Sequence, residues 1–226
     1  MRICITRNQK DACAMSSEEL FLRSAHEMTA AEANESLVLH QAVSKRYAKA
    51  LSSLLRRGHL NVNALDWECI SALHIAVASA DSLLVDLLIE AGANVNSADA
   101  SGQSALHLMC MHSAQKIMTV PWFRKSKFLY PQQPSWKVRL DKIQIIKTLI
   151  LNEADVFLSD HDGWTPFDMS KSLRDGSMRQ LVAAKAKDVK IAQKLSICMA
   201  LHERLGSASV VSFLGGDLLR MVCDTF

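Results

Sequence analysis

The chain has 226 residues, of which 49% are apolar and 22% are charged, and its formal net charge is +3 at pH 7. This composition is typical of a folded globular protein and excludes an intrinsically disordered one. The small net charge gives no argument for nucleic-acid binding by the chain as a whole, and the apolar runs are far shorter than the ~20 residues that span a bilayer.

The cysteines and the N-terminus indicate the compartment. Six cysteines are scattered without a Cys-x-x-Cys pair, a spacing that favours reduced thiols inside a cell over a disulfide framework. Residues 1–15 lack the apolar stretch of a secretory signal, although Arg2, Arg7 and Lys10 leave an organellar presequence open. We therefore expect an intracellular protein, cytoplasmic or associated with an organelle, and not a secreted one.

Residues 1–34 form an N-terminal extension with one predicted helix. Ser16 and Glu19 have the spacing of a capping box, and an amphipathic sequence follows them. We expect this helix to cover the outer face of the segment that begins at residue 35.

From residue 35 to 184 the sequence repeats itself, and such periodicity indicates stacked repeats. An aspartate recurs at Asp66, Asp99 and Asp160. Eight residues after each of these stand His74, His107 and Asp168. The interval from Asp99 to Asp160 is almost twice that from Asp66 to Asp99, so the third copy contains an inserted segment.

A weaker first copy contains His40, which lies one residue further from His74 than His74 lies from His107. That spacing predicts one extra residue between the two helices of this copy.

Each copy predicts two helices followed by a turn. A polar residue suited to capping precedes the first helix, at Ser71, Ser104 and Thr165. The second helix has apolar residues at helical spacing, as at Leu84 and Leu88, and Gly92 suits a left-handed C-cap. Neither helix can bury its apolar face alone, so the copies must stack into a continuous core.

This pattern resembles the ankyrin repeat, a β-turn followed by two antiparallel helices. The repeat's marks T-P-L-H and G-A-D-V-N appear here as SALH, SALH and TPFD, and as GANVN and EADVF. The resemblance covers residues 35–184 and implies an all-α ankyrin-repeat solenoid of about four helix-turn-helix repeats with β-turn fingers, with helical caps at both ends. Leu37 stands where a capping residue is expected in the first repeat, and Asp168 replaces the histidine in the last. These departures suggest that both terminal repeats are degenerate in sequence or act as caps.

The resemblance also implies structural roles for the recurring polar residues. His40, His74 and His107 are expected to hydrogen-bond the backbone of neighbouring turns, while Asp66, Asp99, Asp160 and Gly92 shape those turns. A zinc site at His107 and Cys110 lacks a second ligand pair. The sequence contains no catalytic motif. We therefore expect no metal, no cofactor and no enzymatic activity.

The tips of the fingers are the first candidate binding surface. The resemblance implies that six residues there are exposed and bind a partner: Trp67, Glu68, Ile70, Gln103, His161 and Trp164. Exposed tryptophans are frequent hot spots of interfaces, although both could instead pack on neighbouring turns or on the insertion. Cys69 stands where the tip glycine is usual, which predicts a distorted turn.

The insertion, at about residues 114–141, is the second candidate. It falls between the two helices of the third copy, so we expect it on the edge opposite the fingers. Its basic and aromatic residues, which we predict to bind a partner, are Trp122, Phe123, Arg124, Lys125, Lys127, Phe128, Tyr130 and Trp136. The segment could dock a protein partner, cover its own scaffold, or grip RNA or a lipid surface. Its three prolines disfavour regular helix.

Residues 185–226 form a C-terminal extension. A helix that starts near residue 177 is expected to complete the last repeat and to continue to about Gly206. In the tail, 207–226, the string LGGDLLRMV resembles the opening helix of an F-box, but an amphipathic capping helix has the same pattern.

The function predicted from these features is a non-catalytic protein–protein interaction scaffold, an accessory or structural subunit of a multi-subunit complex. Both ends are apolar enough to need covering, which favours a subunit over a free adaptor. One alternative is a substrate-recognition adaptor of a ubiquitin ligase, acting through the tail. The other is an RNA- or membrane-surface-associated protein, acting through the insertion, with nucleic acid possible but not favoured and no transmembrane segment.

Overall fold

The computed structural model describes residues 16–27, 37–58, 60–113, 135–173 and 175–205. These residues form α-helices joined by turns: α1 Ser17–Glu27, α2 Val38–Ser44, α3 Ala48–Arg56, α4 Ala72–Ala78, α5 Ser82–Glu90, α6 Ala105–Ser113, α7 Ser135–Leu151, α8 Pro166–Lys171 and α9 Gly176–Leu205. Within these residues, β pairing is limited to two isolated bridges, Leu65 with Ser71 and Ala98 with Ser104.

The helices form four pairs that stack in two rows. The first helices, α2, α4, α6 and α8, contact one another in sequence order, and so do the second helices, α3, α5, α7 and α9. Each first helix also packs on the second helix of its own pair. The predicted all-α stack of about four helix pairs is confirmed.

The core runs along the stack because equivalent positions of the second helices are apolar. Leu54, Leu88 and Leu149 occupy one such position, and each is at most 1% exposed. Full burial of a leucine side chain contributes about 1.5–3 kcal/mol. These leucines join side chains of the first helices in one continuous cluster.

The first helices begin at side-chain caps. Ser71 Oγ accepts a hydrogen bond from His74 N at 3.3 Å, and Thr165 Oγ1 accepts one from Asp168 N at 3.1 Å. Leu37, at the same position before α2, makes no such bond and has left-handed backbone with φ of +51°. The first repeat therefore starts without the side-chain cap that begins α4 and α8.

Helix α1 packs on the first repeat. Ser16 and Glu19 form the reciprocal bonds of a capping box, at 2.8 and 3.2 Å. Glu18 Oε1 accepts from Ala50 N at 2.9 Å, so α1 supplies a cap for the first turn of α3. Arg57 donates to the carbonyl oxygen of Ala25 at 3.1 Å. These bonds fix α1 against both ends of α3.

Helix α9 closes the other end of the stack. Met178, Val182 and Ala186 lie on one face of it and are at most 2% exposed. The helix continues to Leu205 without a break at residue 184, so the expected boundary between repeats and extension falls within one helix. The tail at 207–226, including the F-box-like string, lies outside the described residues.

The extra residue of the first repeat does not lie between its helices, so that prediction was wrong. Three residues separate α2 from α3, and three separate α4 from α5. Gly58 and Gly92 both follow a second helix with left-handed backbone, yet Val62 follows Gly58 by four residues whereas Val95 follows Gly92 by three. The extra residue therefore lies in the loop after α3.

The end of the insertion is helical. Helix α7 begins at Ser135, directly after Pro134, and has 17 residues where its counterpart α5 has nine. Arg139, in the added part, pairs with Asp175 just before α9. Of the predicted binding residues of the insertion, Trp136 lies in the first turn of α7, and those from Trp122 to Tyr130 lie outside the described residues.

In the part of the chain that the structure describes, no helix is both long and apolar enough to cross a membrane.

Candidate partner-binding surface

Three turns connect consecutive repeats and lie in one ladder. We call them finger 1 (61–71), finger 2 (94–104) and finger 3 (155–165), and together the finger surface. Each finger is the same eleven-residue pattern of the sequence, with Asp66, Asp99 and Asp160 at its sixth position.

One aspartate in each finger holds its turn. Asp66 Oδ1 accepts from Glu68 N and Ile70 N, both at 2.9 Å. Asp99 and Asp160 make the same pair of bonds in the other two fingers, at 2.8–3.1 Å. The backbone N–H of each aspartate also donates to the carbonyl four residues later, at 2.9–3.0 Å. Each finger is thus a closed hydrogen-bonded loop.

Backbone hydrogen bonds also join neighbouring fingers. Ala100 N donates to Glu68 O and His161 N donates to Ser101 O, each at 3.1 Å. The tips therefore have fixed positions relative to one another. Because the fingers are already ordered, binding a partner would cost little conformational entropy.

Two asparagines tie the bases of the fingers together. Asn63 Oδ1 accepts from Asn94 N at 2.7 Å, and its Nδ2 donates to Gly92 O at 3.2 Å. Asn96 makes the same two bonds one repeat later, to Asp155 N at 2.8 Å and Glu153 O at 3.1 Å. Sequence reasoning missed this role, although the recurring Val-Asn at 62–63 and 95–96 was a usable signal.

The repeated histidines connect each first helix to a finger. His74 Nδ1 accepts from Ser71 N at 3.1 Å, so the ring carries its proton on Nε2, which donates to Ser97 O and Gln103 O at 3.0 and 3.2 Å. His107 repeats this arrangement with Ser104 N and with Trp164 O, each at 3.1 Å.

His40 makes the finger contact alone. Its Nε2 lies 2.8 Å from Ile70 O, and its buried Nδ1 has no hydrogen-bond partner. Ser71 and Ser104 place both a backbone N–H and a hydroxyl at Nδ1 of their histidines, the hydroxyl at 2.8 and 2.9 Å, whereas Leu37 has no hydroxyl and a left-handed backbone.

Burial lowers the pKa of His40, His74 and His107. Nearby aspartates and the backbone carbonyls oppose this shift without cancelling it. All three rings are therefore neutral donors at pH 7, with a structural part in the ladder.

In the last repeat, where α9 follows α8, two of the ladder residues are replaced. Asp168 stands where the histidine recurs and closes a local bond with Thr165 Oγ1 at 2.7 Å. Phe157 stands where Asn63 and Asn96 do, and its ring packs on Phe167 at a centroid distance of 5.7 Å. Lys190 of α9 lies over both rings at 5.6 Å. Asp168 thus bonds within its own repeat, and the two phenylalanine rings contact α9 through Lys190.

The predicted tip residues differ in exposure. Trp67 is 80% exposed and Trp164 is 56% exposed. His161 is exposed, whereas Glu68 and Gln103 are half-buried.

Ile70 is only 3% exposed, so the prediction that it is an exposed tip residue was wrong. Its side chain packs in the core instead.

The turn at Cys69 is not distorted, contrary to our prediction. Cys69 adopts left-handed backbone with φ of +57°, close to the +79° and +81° of Gly102 and Gly163 in the other fingers. Its N–H donates to Asp66 O at 3.0 Å, as the two glycines donate to Asp99 and Asp160 at 2.9 and 3.0 Å. The cysteine bears the conformation that glycine adopts without strain.

The described residues contain no group of three His, Cys, Asp or Glu side chains placed to hold a metal ion. Cys110 is buried, and burial raises the pKa of its thiol to about 12. Its Sγ lies 3.6 Å from Pro166 O. This cysteine is a packed thiol and not a reactive thiolate.

Comparison with known proteins agrees with this architecture. A family model described as "Ankyrin repeats (3 copies)" matches residues 39–120. Notch-regulated ankyrin repeat-containing protein A of Danio rerio is 37% identical over 84 residues, which cover 36% of this chain and 75% of that protein.

Longer proteins match more of the chain at lower identity. Tyrosine-protein kinase HTK16 of Hydra vulgaris is 24% identical over 141 residues, and the nuclear factor NF-kappa-B p105 subunit of Gallus gallus is 27% identical over 142. Each match covers 58% of this chain, but only 19% of the kinase and 14% of the p105 subunit. The kinase resemblance lies in its ankyrin region. The solved ankyrin repeat domain of Bcl-3 superposes with a TM-score of 0.46 at 24% identity, over 65% of this chain and 50% of that one.

Proposed function

This chain belongs to the ankyrin-repeat family, and we propose that it is a scaffold that docks a protein partner on its finger surface as a subunit of a larger assembly. Ankyrin repeats are a non-catalytic fold that mediates protein–protein interaction. The observation that carries the proposal is Trp67, which is 80% exposed on a finger whose turn is closed by Asp66 and whose backbone is hydrogen-bonded to finger 2.

An exposed tryptophan on a rigid turn suits a binding anchor for two reasons. Its large aromatic side chain buries 150–250 Å² when covered, which stabilises a complex. Because the ladder already fixes its backbone, binding orders little beyond the side chain itself. Trp164 offers a second anchor two fingers away.

Exposed leucines on the second row of helices support a role within an assembly. Leu83 on α5 and Leu140 and Leu151 on α7 are each more than half exposed. Leu83 and Leu140 lie before the ends of α5 and α7 that lead into fingers 2 and 3, so a partner on the finger surface would leave these two side chains uncovered. A subunit with contacts on two faces accounts for both sets.

The test is affinity capture of the tagged chain from its native source, followed by quantitative mass spectrometry. The double variant Trp67→Ala, Trp164→Ala should lose a stoichiometric partner set that the wild-type chain retains. Truncation of hot-spot tryptophans weakens interfaces by about 2 kcal/mol or more, roughly thirtyfold in affinity.

Leu83→Ala is the matched control, because Leu83 is 57% exposed, like Trp164 at 56%, but lies in the first turn of α5, at the opposite end of that helix from finger 2. This variant should retain the tryptophan-dependent partners. A partner set that is the same in the double variant and in the wild type would contradict the proposal.

A further inference from the structure

The outer part of α9, which we define as residues 187–196, extends beyond the core of the stack. Among the described side chains of α9, Ala186 is the last one that is buried. From Ala192 to Ser196 every side chain is exposed, yet the helix continues to Leu205. Most of the stability of a helix in a protein comes from packing of its apolar face. The outer part lacks such packing within the described chain.

The sequence of α9 changes where the helix leaves the core. Val182 and Ala186 lie on its buried face. Val189 and Gln193 continue that face at helical spacing, but Val189 is half-buried and Gln193 is exposed. Because a polar residue takes over this face, the sequence itself specifies that the outer part lies outside the core.

A short apolar stripe lies on the other side of the outer part. With about 3.6 residues per turn, Ile191 and Leu195 face away from Val182 and Ala186. Leu195 is 46% exposed and Ile191 is half-buried. Residues spaced i and i+4 are neighbours on a helix surface, so these two form an apolar pair. Such a pair on an exposed helix offers a seam to a second helix.

Two lysines flank the apolar pair. Lys187 and Lys194 are exposed and lie seven residues apart, so they share one side of the seam. Among the described residues, neither of them makes an ion pair. From residue 185 to 196 the sequence contains four lysines and one acid, Asp188. In paired helices, charges beside the seam select the partner.

The neighbouring carboxylates do not neutralise these two lysines. Asp168 of α8 pairs with Lys171, and Asp175, just before α9, pairs with Arg139. Lys190 is not counted with the two free lysines, because it already lies over the rings of the last repeat at 5.6 Å. The outer part therefore presents an apolar pair beside two unpaired positive charges.

We propose that the outer part of α9 binds an acidic amphipathic helix of a partner protein, at a surface separate from the fingers. Apolar residues of that helix cover Ile191 and Leu195, and its carboxylates face Lys187 and Lys194. A second copy of this chain would bring the same lysines, and like charges that meet at an interface are unfavourable.

The composition of the outer part favours this occupant over nucleic acid or a membrane. Residues 187–196 contain neither an aromatic residue nor an arginine, so they lack the stacking and the bidentate phosphate contacts that nucleic-acid-binding surfaces use. Leu195 is the single large apolar side chain in this fully described stretch that is exposed. A helix that lies in a membrane surface buries a much larger apolar face.

The direct test measures binding of defined peptides to the intact chain by fluorescence anisotropy. The probe is a fluorescein-labelled three-heptad peptide with leucine at positions a and d and glutamate at e and g. It should bind, whereas the same peptide with lysine at e and g should not. A peptide of the same composition as the probe, scrambled so that its leucines form no stripe, should bind at least about tenfold more weakly.

Charge reversal locates the binding surface. Lys187→Glu, Lys194→Glu should weaken binding of the glutamate peptide about tenfold and create binding of the lysine peptide. Leu195→Ala should weaken binding of the glutamate peptide about fivefold, because less apolar surface is covered. Circular dichroism checks that each variant keeps the helical content of the wild type.

The matched control is Lys49→Glu, Arg56→Glu, which reverses two exposed charges seven residues apart on α3. This variant changes the net charge equally and should bind the glutamate peptide like the wild type. Equal loss in both charge-reversed variants would overturn the proposal, since attraction would then be general. Equal binding of the scrambled peptide would overturn it too, as would binding of single-stranded RNA or anionic vesicles through Lys187 and Lys194.

The finger variant keeps this inference distinct from the proposed function. Trp67→Ala, Trp164→Ala should bind the glutamate peptide like the wild type, because the fingers take no part in this surface. If the peptide fails to bind while tryptophan-dependent partners are still captured, the inference on α9 is wrong and the scaffold function stands. If the peptide binds and no such partner is captured, the finger proposal fails and the α9 surface stands.

Discussion

Cys69 and Gly102 occupy the same position in consecutive fingers, and both have left-handed backbone, with φ of +57° and +79°. The same hydrogen bond, from this residue's N–H to the carbonyl of the finger's aspartate, closes both turns. A residue with a Cβ atom is strained in this conformation, and glycine is not. The strain is therefore built into finger 1 and absent from finger 2.

Cys69→Gly should raise the free energy of unfolding by about 0.5–1 kcal/mol, since relief of the strain exceeds the added chain entropy of glycine. Urea denaturation followed by circular dichroism measures the change. Cys69→Ala keeps the Cβ atom and removes only the thiol, so its stability should equal the wild type. A gain in Cys69→Ala as large as that in Cys69→Gly would show that the thiol, and not the backbone, was responsible.

Gly102→Ala should destabilise the chain by more than about 1 kcal/mol. A Cβ atom at this position would lie 2.7 Å from Cδ2 and 2.9 Å from the backbone N of His161. Backbone strain at residue 102 and the clash between the added Cβ atom and His161 therefore both destabilise the variant. The same urea experiment checks this, and a stability equal to that of the wild type would contradict the close approach of fingers 2 and 3.

Glu153 adopts φ of +62° at the position that Gly92 holds one repeat earlier with φ of +87°. Glu153→Gly should therefore stabilise the chain by about 0.5–1 kcal/mol. Gly92→Ala is the reverse experiment: no atom lies within 4 Å of the added Cβ, so its loss of about 1 kcal/mol would report the backbone strain alone. Equal unfolding midpoints for both variants and the wild type would show that the strain is absent.

The double variant Asn63→Ala, Asn96→Ala should lower the free energy of unfolding by about 2–4 kcal/mol, because four hydrogen bonds between repeats are lost at roughly 0.5–1 kcal/mol each at exposed sites. Asn152→Ala is the control, since Asn152 bonds only Thr148 O within its own helix region. Its unfolding midpoint should not move. A double variant as stable as Asn152→Ala would show that the asparagines do not couple the repeats.

Stability should fall as the pH drops below about 6.5. Burial lowers the pKa of three histidines in the folded chain, so the unfolded chain binds more protons in that range and is favoured by acid. Above about pH 6.5, the ordinary pKa of histidine in an unfolded chain, the three neutral histidines contribute fully to the free energy of unfolding. Below this pH, each histidine has a limiting slope of about 1.4 kcal/mol per pH unit.

Urea midpoints measured at a series of pH values test this slope. His40→Gln should remove about one third of it, whereas His161→Gln, at an exposed finger position, should leave it unchanged. Asp168 and Asp175 do not interfere, because hydrogen bonds from Lys171 and Arg139 lower their pKa below 3.8. Their contribution is lost only at more acidic pH. A free energy of unfolding that stays constant from neutral pH down to about 5 would contradict the buried neutral histidines.

The spacing of Asp66, Asp99 and Asp160 was enough to predict the stack, because each aspartate closes a turn by local bonds that its own sequence specifies. Exposure was harder to predict. Ile70 and Trp164 stand at equivalent finger positions, yet one is buried and the other is 56% exposed. The exposure of a side chain depends on the residues that the neighbouring repeat packs around it. The position of a residue within its own repeat does not reveal those neighbours.

The spacing between recurring residues shows that a repeat contains an extra residue, but it does not show where in the repeat that residue lies. The interval from His40 to His74 showed one extra residue, but not that it lies after α3. Cys69 misled for a different reason, since the hydrogen bonds of the finger impose on it a conformation that its residue type disfavours. The hydrogen bonds of Asn63 and Asn96 join residues of different repeats, so they become evident only when the repeats are stacked.

The central claim is that the finger surface binds the partner, and site-specific photo-cross-linking tests it most directly. A benzophenone amino acid placed at His161, on finger 3, should give a covalent adduct with the captured partner. The same group at Leu83, in the first turn of α5, should give no adduct with that partner. Adducts from position 83 and none from position 161, in chains that are equally folded, would contradict the account.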